Sequence, residues 1–130
     1  MTREVLTFYG ETDGSSATGT FELDSDVLHS KVSYIRPDKG MECRIWARLL
    51  AGAACRVYVE QTEDVTESSP TWKKLGAVDL SSAGTLAIED SNFITKLYSR
   101  DGKQAFRFTW EQSTPAKSFL EFRVEFVWGE

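Results

Sequence analysis

A chain of 130 residues, 41% hydrophobic and 27% charged, has the size of one domain and can bury a core without disulfide staples. Its net charge of −5 argues against a phosphate-tracking surface, so no nucleic-acid partner is expected. No apolar run approaches the roughly 18 residues of a membrane-spanning helix, so no membrane partner is expected either.

Period-two alternation of apolar and polar residues runs through nearly the whole chain, and no window reads as a helix. The opening stretch, Met1 to Tyr9, already alternates and contains an acid, unlike a signal peptide, so synthesis in the cytosol is expected. Strands are predicted at Glu4 to Tyr9, Thr18 to Leu23, Val27 to Ile35, Met41 to Leu50 and Ala53 to Gln61. Further strands are predicted at Trp72 to Leu80, Thr85 to Glu89, Phe93 to Ser99, Lys103 to Glu111 and Phe119 to Trp128. Turn-forming clusters separate them, such as Asp13-Gly14-Ser15-Ser16 and Pro37-Asp38-Lys39-Gly40. About eight to ten short strands in one domain predict an all-β fold, a two-sheet antiparallel sandwich of jelly-roll or Greek-key type. An immunoglobulin pattern fits less well, because Cys43 and Cys55 stand too close in sequence to flank its buried Trp.

Cys43 and Cys55 fall on strands that read as one hairpin, closed by Leu50-Ala51-Gly52 with Gly52 in the left-handed region. That register sets Cys43 opposite Val59 and Cys55 opposite Ala47. The sulfurs then lie about 13 Å apart at strand rise, too far to bond. Two free, buried thiols are expected, in keeping with a reducing compartment. On the outward face the same hairpin sets Arg44 beside Tyr58 and Trp46 beside Arg56, with Arg48 one step along. Arg and large aromatics are the residue types enriched at interface hot spots, so these five form the predicted contact surface. The alternative is cross-strand stabilisation of a solvent face, which needs no partner.

Thr62 to Thr71 is acidic, contains Pro70 and lacks an apolar face; it reads as a long loop, of the kind used as a binding loop or as a crossover between two sheets, and a crossover would agree with Greek-key topology. Asp101-Gly102 is a dipeptide favoured in type I′ turns, and a hairpin closed there pairs Leu97 with Phe106, Thr95 with Phe108 and Phe93 with Trp110. Phe119 to Trp128 would then extend a three-strand meander with an aromatic inner face, bringing Arg107 near Glu121 or Glu125.

Catalytic chemistry finds no nominated site, and no enzyme is expected. His29 is the only histidine, and no Gly-x-Ser-x-Gly elbow, Walker A sequence or Gly-x-Gly-x-x-Gly occurs. Two acidic clusters, Glu22/Asp24/Asp26 and Glu63/Asp64/Glu67, offer oxygen ligands, yet lack EF-hand spacing and read more simply as solubilising loops. No metal or cofactor is therefore predicted.

A stand-alone β-sandwich of this pattern resembles the small jelly-roll accessory proteins that decorate virus and phage capsids. That resemblance spans the whole chain and implies a structural protein of the virion, a homo-oligomer acting through protein–protein contacts. The face to try first is Arg44, Trp46, Arg48, Arg56 and Tyr58. The second reading is a carbohydrate-binding module, in which Trp46 and Tyr58, or Trp72 beside the acidic loop, stack against sugar rings.

Overall fold

Strict alternation sorts side chains into two layers before any strand is paired. In the stretch Ala105 to Glu111, Phe106, Phe108 and Trp110 point inward and are buried, while Arg107, Thr109 and Glu111 point outward. The computed structural model describes residues 1–25, 31–81, 83 and 88–129. Among them run β1 (Thr2–Glu11), β2 (Thr18–Thr20), β3 (Glu42–Gly52), β4 (Cys55–Thr62), β5 (Lys73–Leu80), β6 (Phe93–Tyr98), β7 (Ala105–Glu111) and β8 (Ser118–Trp128). A single 3-10 turn at Asp90–Asn92 precedes β6.

The strands form two four-stranded antiparallel sheets, ordered β1-β8-β3-β6 and β2-β7-β4-β5. Strand pairs β1·β8, β2·β7, β3·β6 and β4·β5 are those of one long double ribbon, folded so that successive pairs alternate between sheets. This is the jelly roll, and it confirms the expected fold class. The core lies between the sheets. Phe108 of one sheet stacks on Phe122 of the other at 4.1 Å between ring centroids, and Phe21 packs on both Trp110 and Phe122. Each such aromatic pair contributes about 0.5 to 1.5 kcal/mol beyond its buried area.

Several expected pairings are replaced. The hairpin at Asp101-Gly102 does not form: β6 pairs with β3 in one sheet and β7 with β4 in the other. Leu97 accordingly meets Cys43, while Phe106, Phe108 and Trp110 face Gln61, Val59 and Val57, and the meander is lost. A type I′ turn needs positive φ at both central residues, and only Gly102 supplies it. Asp101 instead accepts a hydrogen bond from Lys103 N–H through its side chain, and Arg36 Nε donates to Gly102 O, fixing a corner where the chain changes sheets.

The cysteine hairpin is likewise a corner. Gly52 has the expected positive φ of 94°, but it carries the chain from β3 in one sheet to β4 in the other. Ala53 N–H donates to Lys117 O there, and a side chain at Gly52 would collide with that same carbonyl. Cys43 and Cys55 are both buried and unbonded, separated by the core rather than along a ladder. The 63–72 loop is no crossover, since β4 and β5 are direct antiparallel neighbours.

β2 ends at Thr20, short of the expected Leu23. Of the strand expected over Val27 to Ile35, residues 27–30 lie outside the described residues and 31–35 form no strand; of that expected over Thr85 to Glu89, 85–87 lie outside them. Within them, Val32 and Ile35 make single bridges to Leu23 and Phe106.

Candidate functional site

The predicted contact surface is divided by the sandwich. Arg44, Trp46 and Arg48 lie on the outer face of the β1-β8-β3-β6 sheet, and Arg56 and Tyr58 on that of the other sheet. Arg44 therefore does not stand beside Tyr58, nor Trp46 beside Arg56. The reason is the Gly52 corner, which makes β3 and β4 members of different layers.

On the first face the three residues are taken up by cross-strand contacts. Arg48 Nη2 donates to Glu121 Oε2 at 2.9 Å, with both side chains largely shielded. Arg44 reaches Glu125 at 3.5 Å and Glu42 at 3.4 Å. The Arg123 guanidinium sits 4.5 Å from the Trp46 ring centroid, and Phe93 meets that ring edge-on at 5.3 Å. Such a face is stabilised sheet surface with its aromatic ring already covered.

The second face is shaped differently. Register places Thr20, Thr109, Tyr58 and Ala77 in one row across all four strands. Tyr58 is thus the one tall side chain in a row of short ones. On one side of it runs the row Thr18, Glu111, Arg56 and Asp79; on the other, Arg107, Glu60 and Lys74. The outcome is a trough crossing the strands, about 14 Å long at ordinary strand spacing. A cavity of 230 Å³ lies within it, lined among others by Thr20, Tyr58, Glu60, Lys74, Arg107 and Thr109.

Its walls are pre-set by ion pairs. Arg56 holds Asp79 through two bonds, Nε to Oδ1 at 2.6 Å and Nη2 to Oδ2 at 3.0 Å. Their mutual bonding raises the pKa of the guanidinium and lowers that of the Asp79 carboxyl. Arg107 Nε donates to Glu60 Oε1 at 2.8 Å, which replaces the expected contact with Glu121 or Glu125. Tyr58 Oη donates to Glu111 Oε1 at 3.3 Å, and the Lys74 ammonium lies 4.1 Å from the Tyr58 ring centroid. At the trough's end Arg107 also lies 4.3 Å from the ring of Trp72, which has Tyr34 as a further aromatic neighbour at 6.4 Å. Thr109 Oγ1, in the floor, is buried with no hydrogen-bond partner among the described residues.

Sequence reasoning found Tyr58, Arg56 and Trp72 but missed Glu60, Lys74, Arg107, Thr109 and Glu111. Nothing local marks those five, because the β4–β5 and β4–β7 registers bring them together.

The acidic clusters are engaged elsewhere. Glu63 pairs with Arg100 at 2.9 Å, and Asp64 accepts from Thr66 N–H at 2.9 Å. Glu22 and Asp24 line a separate open cleft of 750 Å³ with Tyr9, Glu11, Asp13 and Lys31. Among the described residues no group of three His, Cys, Asp or Glu is arranged to hold a metal ion. Asp26 and His29 lie outside those residues.

The fold and site together define an antiparallel jelly-roll sandwich with a polar, aromatic-bearing trough on one outer face. No family model matches the chain, and no curated protein matches it. Among solved structures it is similar to endo-1,4-β-D-xylanase 10B of Clostridium thermocellum, whose CBM22-1 and GH10 modules were solved complexed with xylohexaose. The two share 10% identity at a TM-score of 0.49, over 98% of this chain and 26% of that one. This chain thus spans about a quarter of that protein's length.

Proposed function

We propose that the chain is a non-catalytic carbohydrate-binding module whose ligand, an uncharged glycan, lies across the β2-β7-β4-β5 sheet in the Tyr58 trough. The observation that carries this reading is the row Thr20, Thr109, Tyr58, Ala77, a single ring standing in a floor of short side chains. With the mobile Lys74 ammonium, 4.1 Å from its centroid, moved aside, that ring would offer apolar surface to the C–H face of a pyranose. Sugar hydroxyls both donate and accept, and the walls offer both functions in alternation. Arg56, Lys74 and Arg107 balance Glu60, Asp79 and Glu111 one for one, so the trough selects neither a polyanion nor a polycation.

Affinity electrophoresis through gels containing neutral polysaccharides, such as xylan, mixed-linkage glucan and mannan, tests the reading. Migration should be retarded by at least one of them. Tyr58→Ala should weaken that binding tenfold or more, about 1.4 kcal/mol, whereas Trp46→Ala on the opposite face should leave it intact. Unretarded migration throughout, or equal retardation of wild type and Tyr58→Ala, would overturn the reading. The assembly reading implied by the resemblance to capsid accessory proteins has in its favour the edge of β1 from Arg3 to Thr7, unpaired among the described residues.

A further inference from the structure

Every open sheet has two edges, and natural proteins blunt them with short strands, bulges, lysines or a covering segment. Three of the four edges here are treated in that way. β2 is three residues long. β5 and β6 each carry lysine and a register break, at Val59/Glu60 and Ile45/Trp46 respectively. They also approach one another so closely that a side chain at Gly76 would fall 2.8 Å from Ile94 O.

β1 differs. It runs ten residues in unbroken register with β8, and from Thr2 to Tyr9 it contains no Pro, Gly or Lys. Tyr9 shows which of its backbone groups face outward. Its N–H donates to Asp24 O at 2.7 Å and its carbonyl accepts from Asp24 N–H at 2.9 Å, both on the side away from β8. Residues of the same parity turn their N–H and C=O the same way. Arg3, Val5 and Thr7 therefore present theirs along the edge, with no partner among the described residues.

We infer that this edge pairs with β1 of a second copy of the chain, antiparallel and about a two-fold axis at Val5, joining two four-stranded sheets into one. The register follows from three constraints. Outward-facing groups require odd residues to oppose odd ones, so paired numbers sum to an even value. The Asp24 bridge at Tyr9 stops an incoming strand beyond Thr7. An axis at Val5 then pairs Arg3, Val5 and Thr7, unpartnered among the described residues, with one another, setting Val5 against Val5 and Arg3 against Thr7. Side chains agree with this pairing, because Val5 is 48% exposed and a β-branched pair on the axis covers both copies. On the inward side Leu6 of one copy meets Glu4 of the other. That junction flanks an apolar crevice of 320 Å³ lined by Leu6, Phe8, Tyr34, Met41, Phe126 and Trp128. Such a contact is isologous and closes on itself. It lies on the sheet opposite the Tyr58 trough and does not depend on the glycan reading.

Sedimentation velocity over a range of concentrations, with hydrogen exchange on the same samples, tests the inference. The wild-type chain should sediment at twice its own mass, and the Arg3, Val5 and Thr7 amides should be protected. Val5→Lys sets two ammonium groups together on the axis and should yield monomer with an unchanged circular dichroism spectrum. Val5→Pro removes an outward donor that the β8 ladder does not use, and should do the same. Lys substituted for Tyr98, on the β6 edge, should leave the dimer intact. A wild type that stays monomeric, a dimer with fast-exchanging Val5 amide, a dimer that survives Val5→Lys, or a larger open assembly would each overturn the pairing.

Discussion

Replacing Gly19 by Ala adds a single methyl group, yet the surroundings leave no room for it. Gly19 lies opposite Trp110 in register, and a Cβ there would fall 2.9 Å from Cε2 of the Trp110 ring and nearer still to Cζ2 and Cη2. The ring cannot withdraw freely, being 6% exposed, packed on Phe21 at 5.0 Å and tied through its Nε1–H to Ser16 O at 3.1 Å. Overpacking of this kind costs about 1 to 3 kcal/mol. Displacing the ring also costs about 1 kcal/mol for the hydrogen bond. The expected destabilisation is therefore about 2 to 4 kcal/mol, a fall in melting temperature on the order of 10 °C for a domain of this length. Urea unfolding followed by tryptophan fluorescence would measure it. A double-mutant cycle with Trp110→Leu isolates the cause, because Gly19→Ala should cost little once the ring is gone. Costs that simply add, with no coupling between the two sites, would refute this account of Gly19.

Burial makes the two thiols unreactive, raising Cys43 from an ordinary 9.0 to about 12 and Cys55 to about 11, Cys43 further by the neighbouring Glu42. Ellman's reagent at pH 8 should therefore detect neither in the native chain and both in denaturant. The unfolded thiols ionise first as pH rises, so their contribution to stability is whole below about pH 9 and is lost between about 9 and 12. Gln112→Leu should destabilise by about 2 to 4 kcal/mol in urea melts, because Gln112 donates to Ser118 Oγ and Ala54 O and accepts from Ala116 N–H. A loss below about 1 kcal/mol would mean that water replaces those bonds.

Alternation made the faces of β3, β4, β7 and β8 legible in the sequence, down to inward Phe106, Phe108 and Trp110. Neighbours were not legible. Alternation states which way a side chain points, and any strand of matching parity satisfies it. Asp101-Gly102 and Leu50-Ala51-Gly52 both read as hairpin turns, since a corner between sheets also calls for a glycine with positive φ. The same gap governs the site. Tyr58 stood out by type, whereas Thr109 and Arg107 looked like ordinary solvent positions until the β4–β7 register set them beside Tyr58 and Glu60.

The position of β8 has a consequence for the order of events on the ribosome. β8 lies between β1 and β3, so β1 has no partner strand in its own sheet until Ser118 to Trp128 has been made. Until then β1 lacks its ten-residue ladder, and its inner residues Leu6 and Phe8 lack the core contacts that β8 supplies. Neighbouring chains on one polysome are then the nearest source of a complementary edge. The interval before β8 arrives is when this chain is most exposed to pairing with the wrong strand, and slower elongation toward its C-terminal end would lengthen that interval.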